Sequence, residues 1–188
     1  MIKAFDKKMF MTFYRFARAR KHVGVFFLMV SLLSVFVFPV LYAFLLFWLA
    51  LNNRYNDIPA VITAPALTLF MSMLLKRIFK RNRPNVTYGL KGNRPSLASK
   101  IGKKWPVTGS FPSNHAASAF IIAISCHYIS FELFAAVSFL ALITSVSRVF
   151  NGVHYVSDVV GGLVLSGFAA IVGYSFLPSV LHNIFGNL

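Results

Sequence analysis

Five stretches of this chain contain no Lys, Arg, Asp or Glu: Val23–Asn53, Ile58–Leu75, Trp105–Phe131, Leu133–Ser147 and Val159–Leu188. A bilayer-crossing helix needs about 20 mostly apolar residues. Lipid satisfies no backbone polar group, so such segments fold as helices. The composition agrees, with 57% of the 188 residues hydrophobic and 21 of them Phe. An ordinary soluble domain is less apolar. A large soluble all-helical core is the alternative, and charge-free runs this long argue against it. The fold class expected is an all-α integral membrane protein, a bundle of about six transmembrane helices.

Four spans are predicted at about 58–76, 114–130, 133–148 and 158–177. As one helix, Val23–Asn53 would overshoot the ~30 Å hydrocarbon core. Phe38-Pro39 near its middle suggests a hairpin of two short helices, roughly 23–38 and 40–52. A single helix there would make the total five. Residues 1–22 read as a basic amphipathic segment, with Met9, Phe10, Phe13 and Phe16 at near-helical spacing among Lys7, Lys8, Arg15 and Arg18. Such a segment either lies on an anionic leaflet or is a solvated flank that sets topology. Residues 23–188 then form a single transmembrane domain. No cleaved signal peptide is read, because no small-residue cleavage pattern follows the first apolar run.

The formal net charge is +15. Seven Lys/Arg fall within Lys3–Lys21 and ten within Lys76–Lys104. No soluble face exists to carry this charge to a nucleic acid. The partners expected are a phosphorylated lipid and the anionic lipids of the membrane. The single Cys126 excludes an intrachain disulfide. A basic N-terminus argues for a cytoplasmic start in a cell (inner or plasma) membrane. Six spans would then put the Arg77–Gly109 loop on the extracytoplasmic face, which is the expectation here. Five spans would put it in the cytoplasm.

Three segments carry chemistry. Lys76 and Arg83 are seven residues apart and can share a helix face. They suit phosphate oxygens, Arg as a planar fork and Lys as a point charge, or simply reach lipid headgroups. Ser113 is a helix N-cap candidate, and the free N–H groups there, Asn114 included, favour an anion. His115 in the first turn can donate a proton, or is an interfacial histidine on a plain cap. In the third segment Arg148 follows a 15-residue charge-free run, a depth at which an ionisable residue suggests function. Asn151-Gly152 signals a turn. His154 and Asp158 are spaced for one helical turn, so the carboxylate can orient the imidazole as nucleophile or base. An Arg–Asp pair bridging two helix ends is the alternative. The chain has only four acids, Asp6, Asp57, Glu132 and Asp158. Asp158 is the one near the motifs, too few carboxylates for a Mg²⁺ or two-metal site.

Lys76-x6-Arg83-Pro84, Pro112-Ser113-Asn114-His115 and Ser147-Arg148-x5-His154-x3-Asp158 together resemble the type 2 phosphatidic acid phosphatase (PAP2) superfamily. Order and spacing match that family's pattern over roughly Ile58 to Phe176. One departure is Asn114 where Gly is usual, a variation familiar among small bacterial undecaprenyl pyrophosphate phosphatases. The resemblance implies that His154 attacks phosphorus and forms a phosphohistidine, that Asp158 orients it, and that His115 protonates the leaving oxygen and then activates water. Lys76, Arg83, Ser113, Asn114 and Arg148 would hold the phosphoryl oxygens, with no metal and no cofactor. The substrate it implies is a lipid phosphate or pyrophosphate, first undecaprenyl pyrophosphate, then phosphatidylglycerophosphate or phosphatidic acid, then a lipid A phosphate. A non-catalytic lipid-binding or transport protein is the competing class. Arg77, Lys80 and Arg81 are read as headgroup contacts, with help to a second phosphate as the alternative, His127 as a packed or hydrogen-bonded helix residue and Trp105 as interfacial. Lys91, Arg94, Lys100, Lys103 and Lys104 either recruit an anionic substrate or decorate a loop, and His182 is read as solvated.

Overall fold

A computed structural model describes residues 2–90 and 109–176. The expectations for Lys91, Arg94, Lys100, Lys103, Lys104, Trp105 and His182 lie outside the described residues. The described residues are helical, without a strand. Six helices of three or more turns lie among the described residues: α1 (Ile2–Ala19), α2 (Lys21–Leu51), α3 (Ile58–Phe79), then, after the single turn α4 (Pro84–Thr87), α5 (Asn114–Ser125), α6 (Phe131–Phe150) and α7 (Val156–Ile171). A 3-10 turn, Cys126–Tyr128, prolongs α5, and a π turn, Val172–Phe176, prolongs α7.

The six are not divided as the sequence suggested. The apolar run Val23–Asn53 lies in one continuous helix, Lys21–Leu51, with Pro39 inside it, and only Asn52-Asn53 fall beyond its end. A hairpin at Phe38-Pro39 would expose unpaired backbone groups to hydrocarbon. No Gly, Asn or Asp flanks Pro39 to build a turn. Proline removes one helical hydrogen bond, a smaller disturbance than the several lost in a turn. The sixth helix is instead α1, whose composition is amphipathic.

The shortest of the six, α5, is the hub, packing against α2, α3, α6 and α7. Its buried Ala116, Ala117, Ala119 and Ala123 explain why neighbours come so close. Small residues let helix backbones approach where no hydrophobic force drives membrane helices together. The partner surface on α7 is Gly161-Gly162. A Cβ on Gly162 would lie 2.8 Å from the Ser113 carbonyl oxygen, and one on Gly161 would lie 2.3 Å from the Phe111 ring. Phe side chains such as Phe36, Phe47, Phe70 and Phe139 point outward instead.

Gly162→Ala should therefore push the start of α5 away from α7. The expected loss is about 1–3 kcal/mol, read as a lower thermal unfolding midpoint in detergent. An unchanged midpoint would show that the contact relaxes freely.

The first helix does more than lie beside the bundle. Its Phe10 is fully buried, stacks on Tyr14 and Tyr88, and meets the Tyr155 ring edge-on, with centroids 5.6, 5.9 and 5.7 Å away. α1 thus caps the end of the bundle where α3 and α6 finish and α5 and α7 begin.

Candidate active site

Backbone hydrogen bonds tie the three sequence motifs together at that end. The α3 helix stops at Lys80, which adopts a left-handed conformation at φ 42°. The chain then runs through Arg81–Arg83 into buried Pro84. Asn85 N–H donates to the Gly152 carbonyl (3.2 Å), Ser110 N–H to the Arg81 carbonyl (2.6 Å) and Ser113 N–H to the Asp158 carbonyl (2.9 Å). The turn at Asn151-Gly152 forms as its residues suggest, with Gly152 at φ 75°.

Asp158 is fully buried. Its Oδ2 accepts from the Tyr155 N–H (2.8 Å) and from the Ser110 hydroxyl, and its Oδ1 from Arg81 Nη1 (2.8 Å). His154 Nδ1 lies 3.5 Å from Asp158 Oδ2 and 3.5 Å from Ser110 Oγ. The two residues do not share a helical turn, a correction to the sequence reading. His154 precedes α7, and Asp158 occupies its first turn. The carboxylate reaches back across the helix start, where the helix dipole favours a negative charge.

On the far side, Arg148 leaves the last turn of α6. Its Nη2 lies 3.1 and 3.2 Å from the two ring nitrogens of His115. Those nitrogens point apart, so one atom near both lies over the imidazole face. The other nitrogen, Nη1, donates to Ser31 of α2. Lys76 Nζ donates to the Pro112 carbonyl and to the Gly109 carbonyl (3.3 Å), joining α3 to the turn before α5. Ser113 caps α5, its hydroxyl 3.5 Å from the Ala116 N–H. The Asn114 side chain accepts from the Ser72 hydroxyl at 2.5 Å, a tie to α3 that glycine could not make. Beside His115 and Asn114 a cavity of about 230 Å³ opens among α2, α5 and α6, walled by Val35, Phe38, Ala119 and Ile122.

Residues 57–180 match the PAP2 superfamily. The chain belongs to the PAP2 superfamily. Among similar proteins, the probable lipid phosphate phosphatase beta of Arabidopsis thaliana is 30% identical, over 55% of this chain and 58% of that protein. The chain therefore spans less than two thirds of that relative's length. The crystal structure of Aquifex aeolicus LpxE has a TM-score of 0.65 at 24% identity, covering 90% of this chain and 94% of that one. That of the first transmembrane PAP2 type phosphatidylglycerolphosphate phosphatase from Bacillus subtilis has 0.66 at 17%, covering 93% and 87%. At these identities the likeness is one of fold. Among the described residues, four helical segments of this PAP2 protein are long and apolar enough to cross a bilayer. It is a membrane protein.

Several residues at this end of the bundle escaped the sequence reading. Arg81 is not a headgroup contact, because its guanidinium bridges Asp158 and Asp6. Asp6 is itself buried, 1% exposed, and brings a second carboxylate to the motifs. The scarcity of acids that singled out Asp158 applied equally to Asp6. Nothing in the sequence marked Ser110 or Ser31. His127 is exposed in the 3-10 turn, its ring edge against Tyr128, rather than packed within a helix.

Burial lowers the His154 pKa to about 4, helped by the charges of Arg83 and Arg148 and opposed by Asp158. Its unfolded value is about 6.5. Between those values the unfolded chain binds a proton that the folded protein refuses. Stability from this site is complete above the unfolded value and declines as pH falls toward about 4. The thermal midpoint should drop over that window in the native protein and drop less in His154→Gln. Equal slopes would defeat the assignment.

Proposed function

We propose that this protein is a lipid phosphatase that works through a phosphohistidine on His154, without a metal or other cofactor. The observation that carries the reading is the meeting of His154–Asp158 with Arg148–His115 at one end of a membrane bundle. Phosphoryl transfer needs in-line positioning and neutralisation of charge spreading over three oxygens. Arg148, Arg83, Lys76 and the N–H groups around Ser113 and Asn114 supply that charge and those donors. Asp158 orients His154 for attack. His115 protonates the leaving oxygen and then takes a proton from the water that releases phosphate. The cavity beside His115 is apolar, which suits a leaving group that continues as a lipid chain.

Undecaprenyl pyrophosphate is the substrate proposed first, in keeping with the small size of the chain and with Asn114 in place of glycine. Phosphatidylglycerophosphate, phosphatidic acid and a lipid A phosphate follow in that order. Purified protein in detergent with EDTA should release phosphate from these lipids, fastest by kcat/KM from undecaprenyl pyrophosphate. No release from any of them would overturn the reading. Release that EDTA abolishes would overturn the metal-free mechanism alone.

We further propose a side of the membrane for the site, on the support of the helix count. Two crossings, α2 and α3, separate the N-terminus from the Arg77–Gly109 loop, so α1 and the site share one face. With the basic residues of α1 and Lys76, Arg77, Lys80, Arg81 and Arg83 at that end, the positive-inside rule favours the cytoplasm, the side that the sequence reading gave for five spans rather than six. Cysteines placed at Lys8 and at Thr87, both exposed, should be labelled from the same side, the inner one. Labelling from opposite sides would refute the shared face, and labelling of both from outside would refute the cytoplasmic assignment.

A further inference from the structure

We propose that Asp6 and Arg81 are positioning residues for Asp158, and through it for His154, so that α1 is a working part of the active site. The kinetic arm of this inference rests on the phosphatase reading above. Arg81 stands between two buried carboxylates. Its Nη1 lies 2.8 Å from Asp158 Oδ1, and its Nη2 lies 2.7 Å from Asp6 Oδ2. Ser157 closes the ring. Its hydroxyl accepts from Arg81 Nη1 (2.7 Å) and donates to Asp6 Oδ2 (2.6 Å), and its N–H donates to Asp6 Oδ1 (3.1 Å). The guanidinium lies over the Tyr155 ring, 4.0 Å from its centroid.

The geometry points to orientation. Asp158 Oδ2 faces His154 and is fixed by the Tyr155 N–H and Ser110. Oδ1 is held by Arg81. Without that bond only the two contacts at Oδ2 hold the carboxylate, and its plane can rock about them and misalign Oδ2 with the imidazole. Arg81 in turn has a choice of rotamers, and Asp6 with Ser157 selects the one that reaches Asp158. Docking of α1 does not require the acid, because Phe10 already anchors the helix in an aromatic cluster. A buried ion pair is a poor source of stability compared with apolar packing. What a charge at position 6 adds is control over Arg81. The pairing joins residues 75 positions apart.

The test compares wild type, Asp6→Asn, Arg81→Lys, Arg81→Ala, Asp158→Asn and the Asp6→Asn/Asp158→Asn double variant. Lys8→Gln, on the exposed face of the same helix, is the control. Orienting partners one step removed from the chemistry typically matter by about 10–100-fold. Asp6→Asn should lower kcat about 10-fold while KM stays within about 2-fold. Arg81→Lys, which keeps the charge but cannot bridge both carboxylates, should fall between wild type and Arg81→Ala. If Asp6 acts through Asp158, its substitution should cost nothing further in the Asp158→Asn background. The ¹⁵N shifts of His154, assigned with His154→Gln, should report a changed tautomer population in Asp6→Asn. A loss that adds fully to that of Asp158→Asn would reduce Asp6 to a structural residue and overturn the proposal. So would an unchanged kcat with unchanged shifts. If wild type releases no phosphate from any lipid, the phosphatase reading falls. The ¹⁵N comparison then decides alone, altered populations upholding the relay and identical ones ending it.

Discussion

Phosphate release should fall by more than about 10⁴-fold when His154 is replaced by alanine. The size of the effect follows from the position of the residue. His154 is 2% exposed and sits between Asp158 and the cationic residues proposed to hold phosphate. Removing it leaves the proposed phosphate site without an attacking atom, because the Ser113 hydroxyl faces the Ala116 N–H instead. Alanine at a buried site also leaves a cavity, so His154→Gln, which keeps most of the volume, separates chemistry from folding. Wild type quenched during turnover of radiolabelled substrate should carry phosphate that is labile in acid and stable in base, the signature of a P–N bond. Label that persists in His154→Gln, or survives acid in wild type, would move the nucleophile elsewhere.

The second large effect is expected at Arg148. Replacing it with methionine should lower kcat on the order of 10³-fold, the scale for a preorganised cation or donor facing transition-state charge. Arg148 lies over the His115 ring with one nitrogen and bonds Ser31 of α2 with the other. One side chain thus joins the proposed phosphate cradle, the proposed proton donor and the wall of the bundle. Lysine cannot reproduce this, having one point charge in place of a planar fork. Arg148→Lys should therefore recover little activity. If Arg148 and His115 act on the same oxygen-bearing group, the double substitution should lose less than the sum of the two single losses. Full recovery by lysine would reduce Arg148 to a general positive charge.

The helical class was legible because lipid permits so few alternatives. A charge-free run of thirty residues has no use for a strand, and helices follow. The three motifs were legible because phosphoryl transfer demands particular side chains, and their spacings survive in sequence. Pro39 was misread because proline is compatible with both a kinked helix and a turn. What decided between them was the absence of turn-forming neighbours, a negative signal that is easily passed over. The His154–Asp158 spacing fitted a helical turn equally well whether or not the helix had begun. Arg81 and Asp6 were missed for a different reason. Nothing local ties residue 6 to residue 81, and only the packing of α1 across the bundle end brings them together. The rarity of acids pointed to Asp6 as clearly as to Asp158, but in sequence it stood beside no histidine.

The length of α2 makes the host bilayer part of the site's mechanics. At 31 residues it runs about 46 Å, against a hydrocarbon layer of about 30 Å. Arg148 and Asn151 grip it at Ser31 and Phe27, well inside the helix rather than at its end. A helix too long for its membrane tilts, and it tilts more as the membrane thins. Tilting α2 slides Ser31 past Arg148, and with it the guanidinium that covers His115. The rate of the proposed reaction then becomes a function of hydrophobic mismatch, so the protein reconstituted in short-chain and long-chain lipids should run at different speeds on the same substrate.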